Sequence, residues 1–331
     1  MLRIAILGAG AWGTALAIKL SDRFEIRLWA RDQAQAAAMR DQRCNERYLP
    51  GHRLPASVGP TSNLDAASRH ADCLIVATPV SALRTVIDAL PMSAVSSGAA
   101  PLLWLCKGFV VEDELARLPH EAVSECWRGG WGVLSGPSFA QEVARHAPTA
   151  LTLASSDFAL AREWAGRLRD DTLRIYASDD VAGVEVGGAV KNVLAIATGI
   201  CDGLRLGDNA RAALITRGLA ELARLAEALG GRRETLMGLS GLGDLVLTCT
   251  GALSRNRSVG LLLAEGKSLP VIQQTLGHVA EGVFAARAVK RLARAREMEM
   301  PICDAVHAVL YDGIAPRDAV SALLRREPAR E

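Results

Sequence analysis

The sequence predicts an α/β N-terminal domain over residues 1–178, built on a mainly parallel sheet, and an all-α C-terminal domain over residues 179–331. Three observations carry this expectation. Short apolar runs alternate with helical stretches through the first half. The first strand–turn–helix contains Gly8-Ala9-Gly10-Ala11-Trp12-Gly13. After about Ser178 the strand patterning stops and helical periodicity takes over. At 331 residues, the chain also exceeds what one hydrophobic core usually serves.

Residues 2–7 read as a strand, residues 14–20 as a helix, and Glu25–Trp29 as a second strand. In that setting G-x-G-x-x-G is a dinucleotide fingerprint. Gly8 permits a tight turn, Gly10 lets a pyrophosphate approach the backbone, and Gly13 lets helix pack on strand. The helix N-terminus then faces the phosphates. The second strand should end on the residue that reads the adenosine ribose: an acid for NAD, an arginine for the 2′-phosphate of NADP. Here Arg31 precedes Asp32, so the cofactor is expected to be NADP or NAD, with Arg31 favouring NADPH.

Later strands are expected at residues 72–78, 102–106, 132–134, 150–154 and 172–176, with a helix reaching about Leu90. Repeated strand–helix units imply a mainly parallel sheet covered on both faces. Ligands of such sheets sit beyond the strand C-terminal ends. Lys107 and the Gly136-Pro137-Ser138-Phe139-Ala140 turn both fall there.

The second half opens on an apolar helix. Residues 186–201 carry a single charge, Lys191. Desolvation disfavours an ammonium, which suits a lysine that gives and takes a proton; a core lysine snorkelling to the surface is the alternative. Gly187 and Gly188, one turn earlier, leave room for a ligand or for close backbone approach. Asn192 adds an amide that needs partners. Only five of the 38 basic residues are lysines, so charge alone does not explain this one. Residues 210–229 read as a half-exposed helix, flanked downstream by loops at 238–245 and 250–257. Ser254 is a good N-cap, but Arg255 and Arg257 place positive charge at a helix N-terminus. A bound phosphate would reverse that penalty; otherwise both arginines extend into solvent. Asp244, among glycines, either reaches Lys191 or caps a helix. Thr248 lies one turn on, and Glu281 heads another helix.

Net charge of +2 and 4% aromatics argue against a nucleic-acid partner. Seven scattered cysteines fit free thiols in a reducing cytoplasm. The six histidines show no ligand spacing, so no metal is expected. No uncharged apolar run has transmembrane length, and the first apolar run is broken at Gly8 and Gly10, unlike a signal peptide. A homodimer is the base-rate expectation.

Together, residues 8–15, 105–108, 134–140, 187–192, 238–245, 253–257 and 279–282 resemble the NAD(P)-dependent glycerol-3-phosphate dehydrogenase family of bacterial type. The stretches span nearly the whole chain in the family's order, and their combination is specific where no single motif is. The resemblance implies a Rossmann-like N-terminal domain and an all-helical C-terminal domain. It implies reversible NAD(P)H-dependent reduction of dihydroxyacetone phosphate to sn-glycerol 3-phosphate in the cytoplasm, supplying glycerophospholipid synthesis. Lys191 is then the proton donor and acceptor. Lys107, Gly136, Ser138, Asp244, Ser254, Arg255 and Asn256 line the glycerol-phosphate site, with Asn192 and Thr248 as inner partners. Besides Gly8, Gly10 and Gly13, the dinucleotide is lined by Ala11, Trp12, Arg31, Tyr48, Lys107, Ala140, Arg255, Val279 and Glu281.

Two positions depart from the family pattern. Ala11 stands where serine is usual, which matters only if the contact uses a hydroxyl. Asp32 stands where many members carry a basic or neutral residue. Two other readings stay open: a related hydroxy-acid dehydrogenase with Arg255 on a carboxylate, and a dinucleotide-binding sensor without catalysis.

Overall fold

The computed structural model describes residues 1–91, 100–112, 115–277 and 280–326. Val279, expected at the dinucleotide, lies outside the described residues. The chain divides into two compact units, Met1–Lys107 with Leu118–Val181, and Gly108–Arg117 with Ala182–Glu331.

The described strands are β1 (Arg3–Leu7), β2 (Glu25–Trp29), β3 (Cys44–Asn45), β4 (Leu49–Arg53), β5 (Val58–Thr61), β6 (Cys73–Val76), β7 (Leu102–Trp104), β8 (Val110–Glu112), β9 (Leu115–Arg117), β10 (Trp131–Ser135), β11 (Thr149–Ala154) and β12 (Leu173–Ser178). The first unit is built on an eight-stranded sheet in the order β12-β11-β10-β7-β6-β1-β2-β5. Every neighbouring pair in it is parallel except β10–β11. β1 lies between β2 and β6, with Ile4 opposite both Ile26 and Cys73. Its Ile-Ala-Ile-Leu run is fully buried, as a parallel strand covered on both faces requires.

Three pairings were not legible. β5 reads Val-Gly-Pro-Thr, a poor strand by composition, and it survives because Pro60 sits on the sheet edge. The β3–β4 and β8–β9 hairpins are too short to show a period. The first-unit helices are α1 (Ala11–Leu20), α2 (Gln33–Gln42), α3 (Leu64–Ser68), α4 (Leu83–Asp88), α5 (Pro119–Cys126), α6 (Ala140–Ala144) and α7 (Phe158–Leu168).

Among the described residues, β8–β9 is the only strand pair in the second unit, whose other elements are helical. It contains α8 (Val181–Gly203), α9 (Asp208–Ala228), α10 (Arg233–Leu236), a π-helical turn (Leu239–Gly243), α11 (Asp244–Thr250), α12 (Arg255–Ala264), α13 (Leu269–Leu276), α14 (Glu281–Ala295), α15 (Pro301–Tyr311) and α16 (Pro316–Leu324). By length and apolarity α8 could cross a bilayer, but its apolar window is wholly buried in the protein.

α8 is gripped through glycines. A Cβ on Gly199 would lie 2.1 Å from the Arg257 carbonyl oxygen, and one on Gly260 would lie 2.1 Å from that of Ile196. A Cβ on Gly203 would lie 2.5 Å from the Ala264 Cβ. Small residues four apart on both helices thus let α8 and α12 run side by side at backbone contact. That register sets Asn192 beside Asn256.

Candidate functional site

In the first unit, the glycine turn follows β1. Gly8 has φ of +128°, and a Cβ there would sit 2.7 Å from the Ala77 carbonyl carbon. A Cβ on Gly13 would lie 2.0 Å from the Gly8 oxygen. Gly10 differs, because nothing lies within 4 Å of where its Cβ would be. Gly8 and Gly13 therefore shape the turn, while Gly10 faces open space. Gly10 is also the N-cap of α1 and offers no side-chain acceptor to the first-turn N–H groups. Open space before an uncapped helix start fits a dinucleotide pyrophosphate. Ala11 is the first helical residue, and its methyl group offers no hydrogen bond, so its polar contribution there is its backbone N–H.

Beyond β2, Arg31 is exposed. The ambiguity raised by Asp32 has a structural answer. Its carboxylate caps α2, accepting from Ala34 N at 2.9 Å and Gln35 N at 3.4 Å. It also pairs with Arg47 at 3.5 Å. The Arg47 guanidinium lies 5.1 Å from the ring centre of the half-exposed Tyr48.

The turn after β10 converges on the glycine turn. Lys107 Nζ donates to the Gly136 carbonyl at 3.1 Å, and Ser138 Oγ donates to the same oxygen at 3.0 Å. The Trp12 indole N–H donates to the Ser138 carbonyl at 3.0 Å. Gly136 has φ of +140°, and a Cβ there would crowd Ala150 and Leu151 of β11. Ala140 opens α6. The first unit thus gathers Trp12, Lys107, Gly136 and Ser138, with Ala140 adjoining.

In the second unit, Lys191 is 6% exposed and does not snorkel. Its Nζ bonds the Asp244 carboxylate and donates to Thr248 Oγ1 at 2.9 Å. Asp244 is 1% exposed, and Thr248 Oγ1 also donates to the Asp244 carbonyl at 2.6 Å. The segment expected as a loop is instead a π-helical turn running into α11, with Asp244 as the first residue of α11 rather than its cap. Gly187 explains the approach, since a Cβ there would lie 2.3 Å from the Ser240 carbonyl oxygen. Its missing side chain lets the π turn lie against α8 and deliver Asp244 to Lys191. Cys249 is close by, and burial pushes its thiol up to about 12, which removes it as a nucleophile.

A chain of amides runs alongside. Asn192 Nδ2 donates to the Gly188 carbonyl at 3.4 Å, and its Oδ1 accepts from Asn256 Nδ2 at 2.8 Å. Asn256 Oδ1 accepts from Gly282 N at 2.9 Å, just inside the α14 start at the half-buried Glu281. Ser254 caps α12 by accepting from Arg257 N at 3.3 Å. The two arginines there part company. Arg257 does not extend into solvent but grips Asp202 through Nε at 2.8 Å and through its second terminal nitrogen at 2.7 Å. Arg255 is exposed at the helix start. Asp202, which also pairs with Arg211 at 3.0 Å, carries no signal in the sequence, where it is one acid among many.

Comparison with known proteins points one way. The model described as NAD-dependent glycerol-3-phosphate dehydrogenase N-terminus matches residues 3–161, and its C-terminus counterpart matches residues 180–321. The chain is 55% identical to a glycerol-3-phosphate dehydrogenase (NAD(P)+) of Aromatoleum aromaticum over 100% of both chains. It is 54% identical to one of Dechloromonas aromatica, over 100% of this chain and 99% of that one. Among solved structures, glycerol-3-phosphate dehydrogenase of Coxiella burnetii superposes with a TM-score of 0.93 at 42% identity, covering 98% of this chain and 99% of that one.

Proposed function

The chain belongs to the NAD-dependent glycerol-3-phosphate dehydrogenase family, and from that premise we propose that it reduces dihydroxyacetone phosphate reversibly to sn-glycerol 3-phosphate. The reaction uses NADPH or NADH and supplies glycerophospholipid synthesis in the cytoplasm. Residues 1–178 form the Rossmann-like dinucleotide-binding domain and residues 179–331 the helical substrate-binding domain, with each also lending residues to the other ligand. The observation that carries this reading is a buried lysine held by a carboxylate and a hydroxyl, Lys191 with Asp244 and Thr248.

When bound, the reduced nicotinamide supplies a hydride. The chain's own residues handle position and the proton. Negative charge grows on the ketone oxygen as its carbon is reduced, and Lys191 hands a proton to that oxygen. In the reverse direction the neutral amine takes the proton back. Asp244 and Thr248 fix Nζ, and Asn192 is fixed in turn by Asn256. Ser254, Arg255 and Asn256 hold the substrate phosphate at the start of α12, where helix N–H groups and a guanidinium suit an anion. The resemblance assigns Lys107, Gly136 and Ser138 to the substrate as well. It also assigns Tyr48, Lys107, Ala140, Arg255, Val279 and Glu281 to the dinucleotide. The pyrophosphate lies over Gly8, Gly10, Ala11, Trp12 and Gly13. With the Asp32 carboxylate committed to α2 and Arg47, Arg31 is left to favour the 2′-phosphate, so NADPH is the preferred donor. The enzyme works as a homodimer.

The test is loss of nicotinamide absorbance with dihydroxyacetone phosphate against 2-keto acids, run with each cofactor. Lys191→Ala should lower turnover about 10²–10⁴-fold while its circular dichroism stays native. Retained turnover in the folded variant, or preference for a keto acid, refutes the proposal.

A further inference from the structure

The glycine turn is held from behind by two side chains that the motif does not contain. Asn45 of β3 is 1% exposed, and its Nδ2 donates to the Ala9 carbonyl at 2.9 Å and to Thr14 Oγ1 at 2.7 Å. Gln35 of α2 donates through Nε2 to the same Ala9 oxygen at 2.8 Å. A carbonyl oxygen has two lone pairs, so these two amides saturate it. Thr14 is fully buried in α1, and its N–H donates to the Gly10 carbonyl at 3.0 Å. Asn45 therefore ties the entry of the turn to the first turn of the helix.

The consequence lies on the other side of the Ala9–Gly10 peptide. In a trans peptide the C=O and the next N–H point in opposite directions. Anchoring the Ala9 oxygen towards Asn45 and Gln35 aims the Gly10 N–H away from them. Among the described residues that N–H has no acceptor, and the space at the Gly10 Cβ position is open. A second sign is the Asn45 Oδ1 atom, which is buried without a hydrogen-bond partner. A leucine would fill the same volume without that penalty. An amide is needed there for its donors.

We propose that Asn45 and Gln35 are positioning residues of the dinucleotide site, clamping the Ala9 carbonyl so that the Gly10 N–H is presented to the pyrophosphate. This rests on the dinucleotide reading above. Both side chains hold the Ala9 carbonyl, on the opposite side of the peptide from the Gly10 N–H, so they act on binding rather than on the chemical step. The pyrophosphate is common to NADH, NADPH and ADP-ribose, and all three must feel the clamp equally.

The experiment measures Kd for these three ligands by titration calorimetry on the full chain, with kcat and the ketone KM alongside. The variants are Gln35→Ala, Asn45→Leu and Asn45→Asp, the last keeping shape but losing the donor. Each should weaken all three ligands by a common factor of about three- to tenfold, the worth of one neutral hydrogen bond. kcat at saturating dinucleotide and the ketone KM should hold. Asn45→Asp should resemble Asn45→Leu, since both lack the donor. Unchanged Kd in folded variants overturns the clamp, as does a fall in kcat alone, the signature of general damage. If Asn45 variants do not fold, Gln35→Ala, at a half-buried position, decides alone. A wild-type chain that binds none of the three overturns the dinucleotide reading and the clamp with it. Wild-type binding with insensitive variants overturns only the clamp.

Discussion

Removing the Asp244 carboxylate should destabilise the second unit more than removing the whole ion pair. The Lys191 and Asp244 side chains are 7% and 1% exposed. Asp244→Ala removes the carboxylate that pairs with a buried ammonium. Breaking a buried pair in this way costs about 3–5 kcal/mol. For a domain of this size each kcal/mol moves the melting midpoint by roughly 2–4 °C, so the variant should melt on the order of 10 °C lower. Lys191→Met with Asp244→Leu replaces both charges by apolar groups of similar volume. Such a swap is commonly neutral or stabilising, so the double variant should recover most of the loss. It should also be inactive, which separates the chemistry of Lys191 from its effect on folding. Scanning calorimetry of the wild type, both singles and the double gives the coupling, and turnover is measured on the same samples. A midpoint for Asp244→Ala within about 2 °C of wild type refutes the reasoning. So does a double variant as unstable as the sum of the singles.

The glycines of the turn should separate in a single comparison. Gly13→Ala places a methyl 2.0 Å from the Gly8 oxygen and should lower the melting midpoint, whereas Gly10→Ala meets no atom and should leave it unchanged while weakening dinucleotide binding at least tenfold. Equal melting losses in the two variants would contradict this division. Glu221 provides a pH signature. It is 3% exposed and accepts from Ile302 N at 2.7 Å and Cys303 N at 3.2 Å, capping α15. Burial raises its pKa above the usual glutamate range, against those two N–H groups. The folded state then holds this proton more tightly than the unfolded chain, so its contribution to stability falls as pH rises from the ordinary glutamate value through the raised one. Glu221→Gln should remove that part of the pH dependence, seen as a flatter midpoint-against-pH curve; an unaltered slope would show that Glu221 is not its source.

Much of the architecture was legible because it rests on local patterns. β1, the glycine turn, β2 and the apolar α8 are each written in a few adjacent residues. The strand expected at residues 72–78 shortened to Cys73–Val76, and that at 102–106 to Leu102–Trp104, since apolar composition runs past the point where ladder pairing stops. β5 and the two short antiparallel pairs carry no strand signal in the sequence because pairing, not propensity, makes them strands. The 238–245 segment reads as a loop from its glycines, but Gly241 serves close packing, since a Cβ there would lie 2.1 Å from the Leu236 carbonyl oxygen, and Gly187 of α8 makes the matching approach to Ser240.

By itself the sequence determined that a dinucleotide turn precedes α1, that a lone lysine sits in an apolar helix, and that Ser254 starts a helix bearing two arginines. These follow from composition and spacing along one stretch of chain. Tertiary structure decided the partners. It gave Lys191 to Asp244 and Thr248, Arg257 to Asp202, Asp32 to the start of α2, and the Ala9 carbonyl to Asn45 and Gln35. Each of these polar groups had several possible partners in one dimension. Which one it met was settled by backbone approaches such as Gly187 on Ser240 and Gly199 on Arg257, because burial leaves a polar group only the neighbours that packing brings within hydrogen-bond reach.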